Sequence, residues 1–317
     1  MSPLPGSPER IPAARILVIR LGALGDMALS FSAFAAIRAH HAGAGVTLLT
    51  TAPYARLARD SPWFDDVRVD VRPGWTDLAG LWRLRRQLVG FDRIYDLQTS
   101  RRSSRYFWLA GRPAWSGIAR GCSLPDSDPW RDLLHTIARQ RGQLAAAGVA
   151  AAPVDLDWLR RCGPVLQGRT ALLVPGNSGS HGGAKTWPLD RFCALAAALA
   201  QAGLRPVVVG GSAEATAGAR IVSACPAALD LTGQTTIADL AGLAGRAALA
   251  VGGDTGPIHL AAVMGCRTLA LFSRFSDPAL AAPVGEARLI RAAALDEIGV
   301  QQVLDRLADT HETANWL

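Results

Sequence analysis

Apolar and polar positions along the chain fall into an alternating strand and helix pattern that occurs twice. In the first half the apolar run RILVIRL (15–21) precedes an Ala- and Phe-rich helical stretch that reaches about His41, and GVTLLTT (45–51) is the next strand. VRVDV (67–71) alternates, LAGLWRLRRQLV (78–89) has helical spacing, and FDRIYDLQ (91–98) reads as a strand. RDLLHTIARQRGQLAAAG (131–148) predicts a helix stopped at Gly148, which suits a C-cap. A proline-containing connection near 153–168 separates this from a second series. There TALLVPG (170–176), RPVVVGG (205–211), AALAVGG (247–253) and RTLALF (267–272) predict strands. LDRFCALAAALAQAG (189–203), AEATAGARIVSAC (213–225) and PIHLAAVMG (257–265) predict helices between them.

Short apolar strands that alternate with helices predict parallel sheets covered on both faces. Two such series predict two Rossmann-like domains, over residues 15–160 and 165–317, with parallel sheets facing across a cleft. Residues 1–14 (MSPLPGSPERIPAA) lack an apolar core segment and are read as a flexible tail rather than a signal peptide. The last helix is left free in this reading to pack back on the N-terminal domain. In such folds ligands sit beyond the carboxyl ends of the strands, so the glycine-rich turns there are the places to look.

Composition changes this picture in three ways. No apolar run reaches the ~18 residues of a membrane-spanning helix. The five cysteines are odd in number and scattered with no CxxC pair, which disfavours a disulfide framework or a zinc site and fits a reducing cytoplasm. The net charge of +7 is uneven: residues 1–165 carry 22 arginines against 14 acidic residues, whereas residues 166–317 carry 11 basic against 12 acidic ones. A positive N-terminal half suits an anionic partner, although an arginine-rich composition spread over a solvated surface gives the same count. Of the 33 basic residues only Lys185 is a lysine.

Three strand-to-helix turns carry candidate chemistry. In RLGALGD (20–26), Gly22 and Gly25 allow close backbone approach at a helix start, and Asp26 is either a helix cap or a general base. The turn is not G-x-G-x-x-G, which argues against a dehydrogenase. In GNSGSHGGAKTWP (176–188), Asn177, Ser178 and Lys185 can present polar groups and one compact positive charge to phosphate oxygens, and Pro188 leads into a helix. It is not a Walker A loop, and a plain surface loop remains its other reading. In VGGDTGPIHLAAVMG (251–265), Asp254, Thr255 and Gly256 lie at a turn, Pro257 fits the first helical position, and the helix start is a candidate anion site. His259 faces the same ligand or is a hydrogen-bonded structural histidine.

Glu214, in VVVGGSAEA, is either a ribose ligand or a first-turn acid favoured by the helix dipole. Arg101, Arg102 and Arg105, placed after the strand ending near Gln98, together with Arg120, can grip carboxylate or phosphate groups. The basic residues of the 131–148 helix, with His135, are read as a solvated face. No nucleic-acid recognition module is visible.

ILVIRLGALGD, KTWP and GGDTGPIHLAA, in this order in a chain of this length, resemble the bacterial heptosyltransferases of glycosyltransferase family nine over roughly residues 15–310. The resemblance implies a GT-B fold, with an N-terminal acceptor-binding domain and a C-terminal nucleotide-sugar-binding domain. It implies metal-independent, inverting transfer of a heptose from ADP-heptose to the inner core of lipopolysaccharide, with no cofactor beyond the donor. Carried onto this sequence, Asp26 is the general base and Lys185 contacts the diphosphate. Asp254, Thr255, Gly256 and His259 bind the donor, and Glu214 contacts the nucleoside. Gly22, Gly25, Arg101, Arg102, Arg105 and Arg120 are assigned to the acceptor. A phosphorylated glycolipid acceptor implies a cytoplasmic protein that touches the inner membrane peripherally, and a monomer is expected. Ala23 stands where family members often carry Ser or Thr, and the 176–184 loop is unusually rich in Gly and Ser. A same-fold transferase with another donor or acceptor, and a non-catalytic nucleotide-sugar binder, are the competing readings.

Overall fold

A computed structural model describes residues 14–176 and 186–309. In chain order the first half runs β1 (Arg15–Ile19), α1 (Leu24–Leu29), α2 (Phe31–His40), β2 (Gly45–Thr50), α3 (Ala52–Asp60), β3 (Asp66–Val69), α4 (Leu78–Leu88), β4 (Arg93–Asp96), α5 (Arg101–Leu109), β5 (Ala114–Gly117), β6 (Leu124–Pro125), α6 (Thr136–Ala146) and α7 (Asp157–Arg160). The second half runs β7 (Thr170–Val174), α8 (Leu189–Gln201), β8 (Arg205–Val208), α9 (Ala215–Ala224), β9 (Leu229–Asp230), α10 (Ile237–Arg246), β10 (Leu249–Gly253), α11 (Gly256–Val263), β11 (Thr268–Phe272), α12 (Pro278–Ala281), β12 (Ala287–Arg291) and α13 (Val300–Ala308).

The strands form two six-stranded sheets, ordered β3-β2-β1-β4-β5-β6 and β12-β11-β10-β7-β8-β9. All recorded pairings are parallel; Leu17, for example, pairs with Thr47 on one side and Ile94 on the other. In each sheet the first strand lies in the middle and the order reverses beside it, the arrangement in which ligands bind at the switch point between neighbouring strand ends. The central strands β7, β10 and β11 are buried at every position. That is why they read as continuous apolar runs and not as alternations.

Each sheet has its own core. Leu17, Ile19, Leu49, Ile94, Phe107 and Trp115 build the first. Leu173, Trp187, Phe192, Val208, Val251 and Leu271 belong to the second. The last described helix, α13, joins the second core through Val303 and Leu307. Trp187 and Ile298 line the same cluster.

The compact units do not follow one cut near residue 160. The first takes in the chain up to Leu21, Ala36–Ser127 and Gln143–Ala150; the second takes in Gly22–Ala35, Asp128–Gly142 and the chain from Ala151 onward. The segment that carries Asp26 therefore folds with the second unit. The helical stretch expected to reach His41 is two helices, separated at Ser30, whose hydroxyl donates to the Asp26 carbonyl (2.6 Å).

Candidate active site

At the switch point of the second sheet, β7 and β10 end side by side. Gly252 lies so close to Val174 and Ile258 that a Cβ there would meet the Val174 Cβ at 2.8 Å and its carbonyl oxygen at 2.9 Å. Only glycine lets β10 and α11 approach β7 this closely. Helix α11 starts at Gly256, with Thr255 as N-cap in extended conformation and Pro257 one residue into the helix, not at the first helical position as expected. Thr255 makes no side-chain cap hydrogen bond. Its Oγ1 is buried and lacks a hydrogen-bond partner among the described residues. An uncapped helix start with an unused hydroxyl is suited to an anion.

His259 is 5% exposed and its Nε2 lies 3.0 Å from Asp254 Oδ1. With the proton on Nε2, the imidazole donates to that carboxylate and leaves Nδ1 as an acceptor. Nδ1 has no hydrogen-bond partner among the described residues. His135 lies near enough to His259 to feel its charge, and burial is the main cause that lowers its pKa. Its Nε2 faces the Ala282 carbonyl oxygen at 3.0 Å, and its Nδ1 accepts from the Ile137 amide. Of the basic residues expected on a solvated face of 131–148, Arg141 is exposed, whereas Arg131, His135 and Arg139 are half-buried. Thr136, Gln140 and Gln143 are buried, and Gln140 Nε2 donates to Ser30 Oγ (2.8 Å) at the end of α1.

The loop Gly22–Asp26 packs against the start of α11. A Cβ on Gly25 would lie 2.8 Å from His259 Cδ2, and one on Gly256 would lie 2.5 Å from Leu24 Cβ and 3.0 Å from the Gly25 nitrogen. Two helix starts thus meet backbone to backbone through a pair of glycines. Gly22 has φ 110°, a left-handed value that favours glycine, and the Gly22–Ala23 peptide is cis. Asp26 sits at the third helical position of α1, where its Oδ2 accepts from the Ala23 amide at 3.1 Å. It is half-buried. Asp26 is therefore not the N-cap, which is Ala23, but the residue whose carboxylate accepts from the N-cap amide, and that bond fixes the carboxylate beside Gly25.

Glu214 folds back over its own turn. Its Oε2 accepts from the Gly211 amide (2.7 Å), and its side chain lies against Gly176, where a Cβ would come within 2.6 Å of Glu214 Cγ. The Glu214 side chain therefore stands beside Gly176 at the end of β7. Asn177, Ser178 and Lys185 lie outside the described residues. The loop's C-terminal anchor is described: Trp187 is 1% exposed and its Nε1 donates to the Ile298 carbonyl oxygen (2.8 Å), with Pro188 as N-cap of α8.

The arginines of the first unit are placed differently from expectation. Arg101, Arg102 and Arg105 stand on α5, not at a strand end, because Ser100 caps a helix there: its hydroxyl accepts from the Ser103 amide and Ser103 reciprocates. Arg102 donates through Nε to the Tyr106 hydroxyl (2.7 Å) and through Nη2 to the Pro73 carbonyl (2.7 Å). Tyr106 in turn donates to the buried Asp70 (2.6 Å). Arg105 stacks on Trp75. Arg101 and Arg120 are exposed. Arg102 thus supports the 70–75 turn, and Arg101, Arg105 and Arg120 remain outward.

Sequence reading missed the residues that shape the switch point of the first sheet. Arg20 is buried and donates to the Leu97 carbonyl (2.6 Å), and the Leu21 amide donates to Gln98 Oε1 (2.8 Å). Asp96 Oδ1 accepts from the Gln98 and Thr99 amides. Burial pushes the Asp96 carboxyl from 3.8 up to about 7. The folded state thus keeps a proton that the unfolded chain releases near pH 4. Its contribution to stability is complete below about pH 4 and is lost as pH rises to about 7. Asp96→Asn is expected to flatten this fall, which amounts to a few kcal/mol at roughly 1.4 kcal/mol per pKa unit. Urea unfolding at pH 4.5 and 7.5 measures it; equal slopes for the two proteins would rule out the buried acid as their cause.

All five cysteines are free thiols. Among the described residues no group of three or more His, Cys, Asp or Glu is arranged to hold a metal ion, and no helix is long and apolar enough to cross a membrane.

The family model for glycosyltransferase family 9 (heptosyltransferase) matches residues 81–298, more than half of the chain. The chain belongs to glycosyltransferase family 9. The match contains β7, β10 and the start of α11 and begins after the Gly22–Asp26 loop. No curated protein matches the sequence itself. Among solved structures, a family 9 glycosyl transferase from Veillonella parvula DSM 2008 is similar at 19% identity, over 93% of this chain and 96% of that one, with a TM-score of 0.77. E. coli ADP-heptose lps heptosyltransferase II is similar at 22% identity, over 93% and 97%, with a TM-score of 0.72. E. coli heptosyltransferase WaaC with ADP is similar at 18% identity, over 93% and 99%, with a TM-score of 0.77. These likenesses establish the fold: the family 9 chain has the GT-B architecture of two parallel sheets. It is a glycosyltransferase of the heptosyltransferase family.

Proposed function

We propose that the protein transfers a heptose from ADP-heptose to the inner core of lipopolysaccharide, with inversion, and with Asp26 as general base. The observation that carries the reading is the glycine-to-glycine packing of the Asp26 loop on the start of α11. It puts a carboxylate and a candidate anion site on one compact unit. In this mechanism an acceptor hydroxyl oxygen attacks the anomeric carbon while its proton passes to Asp26. The bond from that carbon to the diphosphate oxygen breaks, and its electron pair leaves with the nucleoside diphosphate. The α11 start, with Thr255 Oγ1, and Lys185 offset the charge that develops on the leaving group. No metal or cofactor is needed for that balance. Asp254 holds His259 in place, and Glu214 faces the nucleoside. Similarity in fold to E. coli heptosyltransferase II and to WaaC with ADP supports the donor class. The positive N-terminal half supports an anionic glycolipid acceptor, met from the cytoplasmic side of the membrane.

A thermal-shift panel of ADP, UDP, GDP and their sugars tests the donor. ADP-heptose is expected to stabilise most, and a preference for UDP or GDP forms would overturn the assignment. Lys185→Arg keeps the charge but replaces a compact ammonium with a planar fork. It is expected to lower kcat/KM by about tenfold or more, which corresponds to roughly 1.4 kcal/mol of transition-state stabilisation. Unchanged kcat/KM in that variant would remove Lys185 from the site.

A further inference from the structure

Helices α4 and α5 of the first unit carry outward stripes of a particular composition. Gly80, Leu84 and Leu88 turn one face of α4 into the core, which leaves Leu78, Trp82, Arg83 and Arg86 on the opposite face. Leu78 is 78% exposed and Trp82 is 58% exposed. On α5, Ser103, Tyr106 and Phe107 face inward, and Arg101, Arg105 and Trp108 stand outward at helical spacing. Trp108 is 50% exposed. Arg85 donates to the Leu109 carbonyl and so ties the two helices together at their C-terminal halves.

Each exposed tryptophan of this region lies under a guanidinium. Arg86 lies 4.8 Å from the Trp82 ring centroid, Arg112 lies 4.1 Å from that of Trp108, and Arg105 lies 4.8 Å from that of Trp75. Residues 78–91 and 97–125 together contain eight arginines and no aspartate or glutamate. Neither Arg83 nor Arg86 is paired with a carboxylate among the described residues. Exposed tryptophan and leucine are costly in water and favoured at the headgroup level of a bilayer. Unpaired arginines beside them match a negative surface.

We propose that the α4–α5 face is a docking surface for an anionic phospholipid bilayer, with Leu78, Trp82 and Trp108 entering the headgroup layer and Arg83, Arg86 and Arg112 meeting lipid phosphates. The excess of positive charge, eight arginines against the exposed Asp77 and Asp92 that flank α4, selects an anionic lipid surface over an apolar protein partner. The proposal shares with the reading above only the membrane setting of the acceptor. Its test uses no acceptor and no turnover, so the two fail separately.

The test is sedimentation with vesicles of phosphatidylcholine alone and of phosphatidylcholine with phosphatidylglycerol at 3:1. Wild type is expected to bind the mixed vesicles, to ignore the neutral ones, and to be released by 0.5 M salt, as screening requires. Arg83→Gln/Arg86→Gln is expected to weaken binding by about 25-fold, at about fivefold per arginine. Trp82→Ala/Trp108→Ala is expected to weaken it by about tenfold or more. Thermal shift with ADP is expected to be unchanged in both. If the tryptophan variant does not fold, the arginine variant decides, since both of its sites are exposed. Equal binding to the two vesicle types, binding to neither, or wild-type binding by the arginine variant would overturn the proposal. So would a concentration-dependent dimer in light scattering that the arginine variant abolishes, because the face would then join copies of this chain.

Discussion

Asp26→Asn is expected to lower turnover by about 10²–10⁴-fold and to leave donor affinity near that of wild type. The choice of asparagine follows from the local geometry. The Ala23 amide donates to Asp26 Oδ2, and an asparagine oxygen can accept the same bond. The helix start is thereby kept while the base is removed. Asp26→Ala would remove both, at about 0.5–1.5 kcal/mol of stability for the lost hydrogen bond, and would confuse the two effects. Isothermal titration with ADP and a single-turnover assay separate them. Turnover at the wild-type rate in the Asn variant would leave Asp26 with its hydrogen bond at the helix start only.

Gly256→Ala is the second substitution with a large expected effect, and its site of action is α1. The new Cβ would overlap Leu24 Cβ at 2.5 Å and crowd the Gly25 nitrogen at 3.0 Å. A backbone atom cannot rotate away, so α1 must shift. Overpacking of this kind costs about 1–3 kcal/mol. A displacement of Asp26 by even ~1 Å can cost about 10²-fold in rate. Gly142→Ala is the matched control. It is also a helical glycine, but an added Cβ there meets nothing within 4 Å, and it is expected to be neutral or to stabilise by up to about 1 kcal/mol. Thermal unfolding of both variants, with kcat, tests the pair. A Gly256→Ala protein as stable and active as Gly142→Ala would show that the two helix starts are not tightly apposed.

The sequence was most legible where strands are central. β1, β2, β7, β8, β10 and β11 are flanked on both sides in their sheets and read as apolar runs. Of the edge and near-edge strands, β3 was read from its alternation, whereas β5 (AWSG), β6 (LP) and β9 (LD) are too short and too polar to stand out, and β12 (ARLIR) was missed as well. Helix α5 was hidden by its outward arginines and serines. Its usable signals were the Ser100 cap and the inward spacing of Ser103, Tyr106 and Phe107. Helix α10 was missed too, although Thr236 and Asp239 form a capping box that is visible in the sequence. The turns at Gly22–Asp26 and Asp254–His259 were picked out because glycine, proline and a carboxylate coincide there. That they pack on each other was not legible, since nothing local records a contact between Gly25 and Gly256. Arg20, Asp96 and Gln98 were missed for the same reason: Arg20 finds the Leu97 carbonyl 77 residues away.

The interleaved course of the chain bears on how this protein can be recombined. Gly22–Ala35 and Asp128–Gly142 belong to the same compact unit as the chain after Ala151. A crossover at the connection near residue 160, the natural seam for exchanging halves between relatives, would therefore bring in a foreign partner for α11. Leu24 and Gly25 would face a new helix start, and His135 a new partner in place of the Ala282 carbonyl. A functional chimera has to carry three pieces of one parent, so the module that is inherited together is discontinuous in the gene.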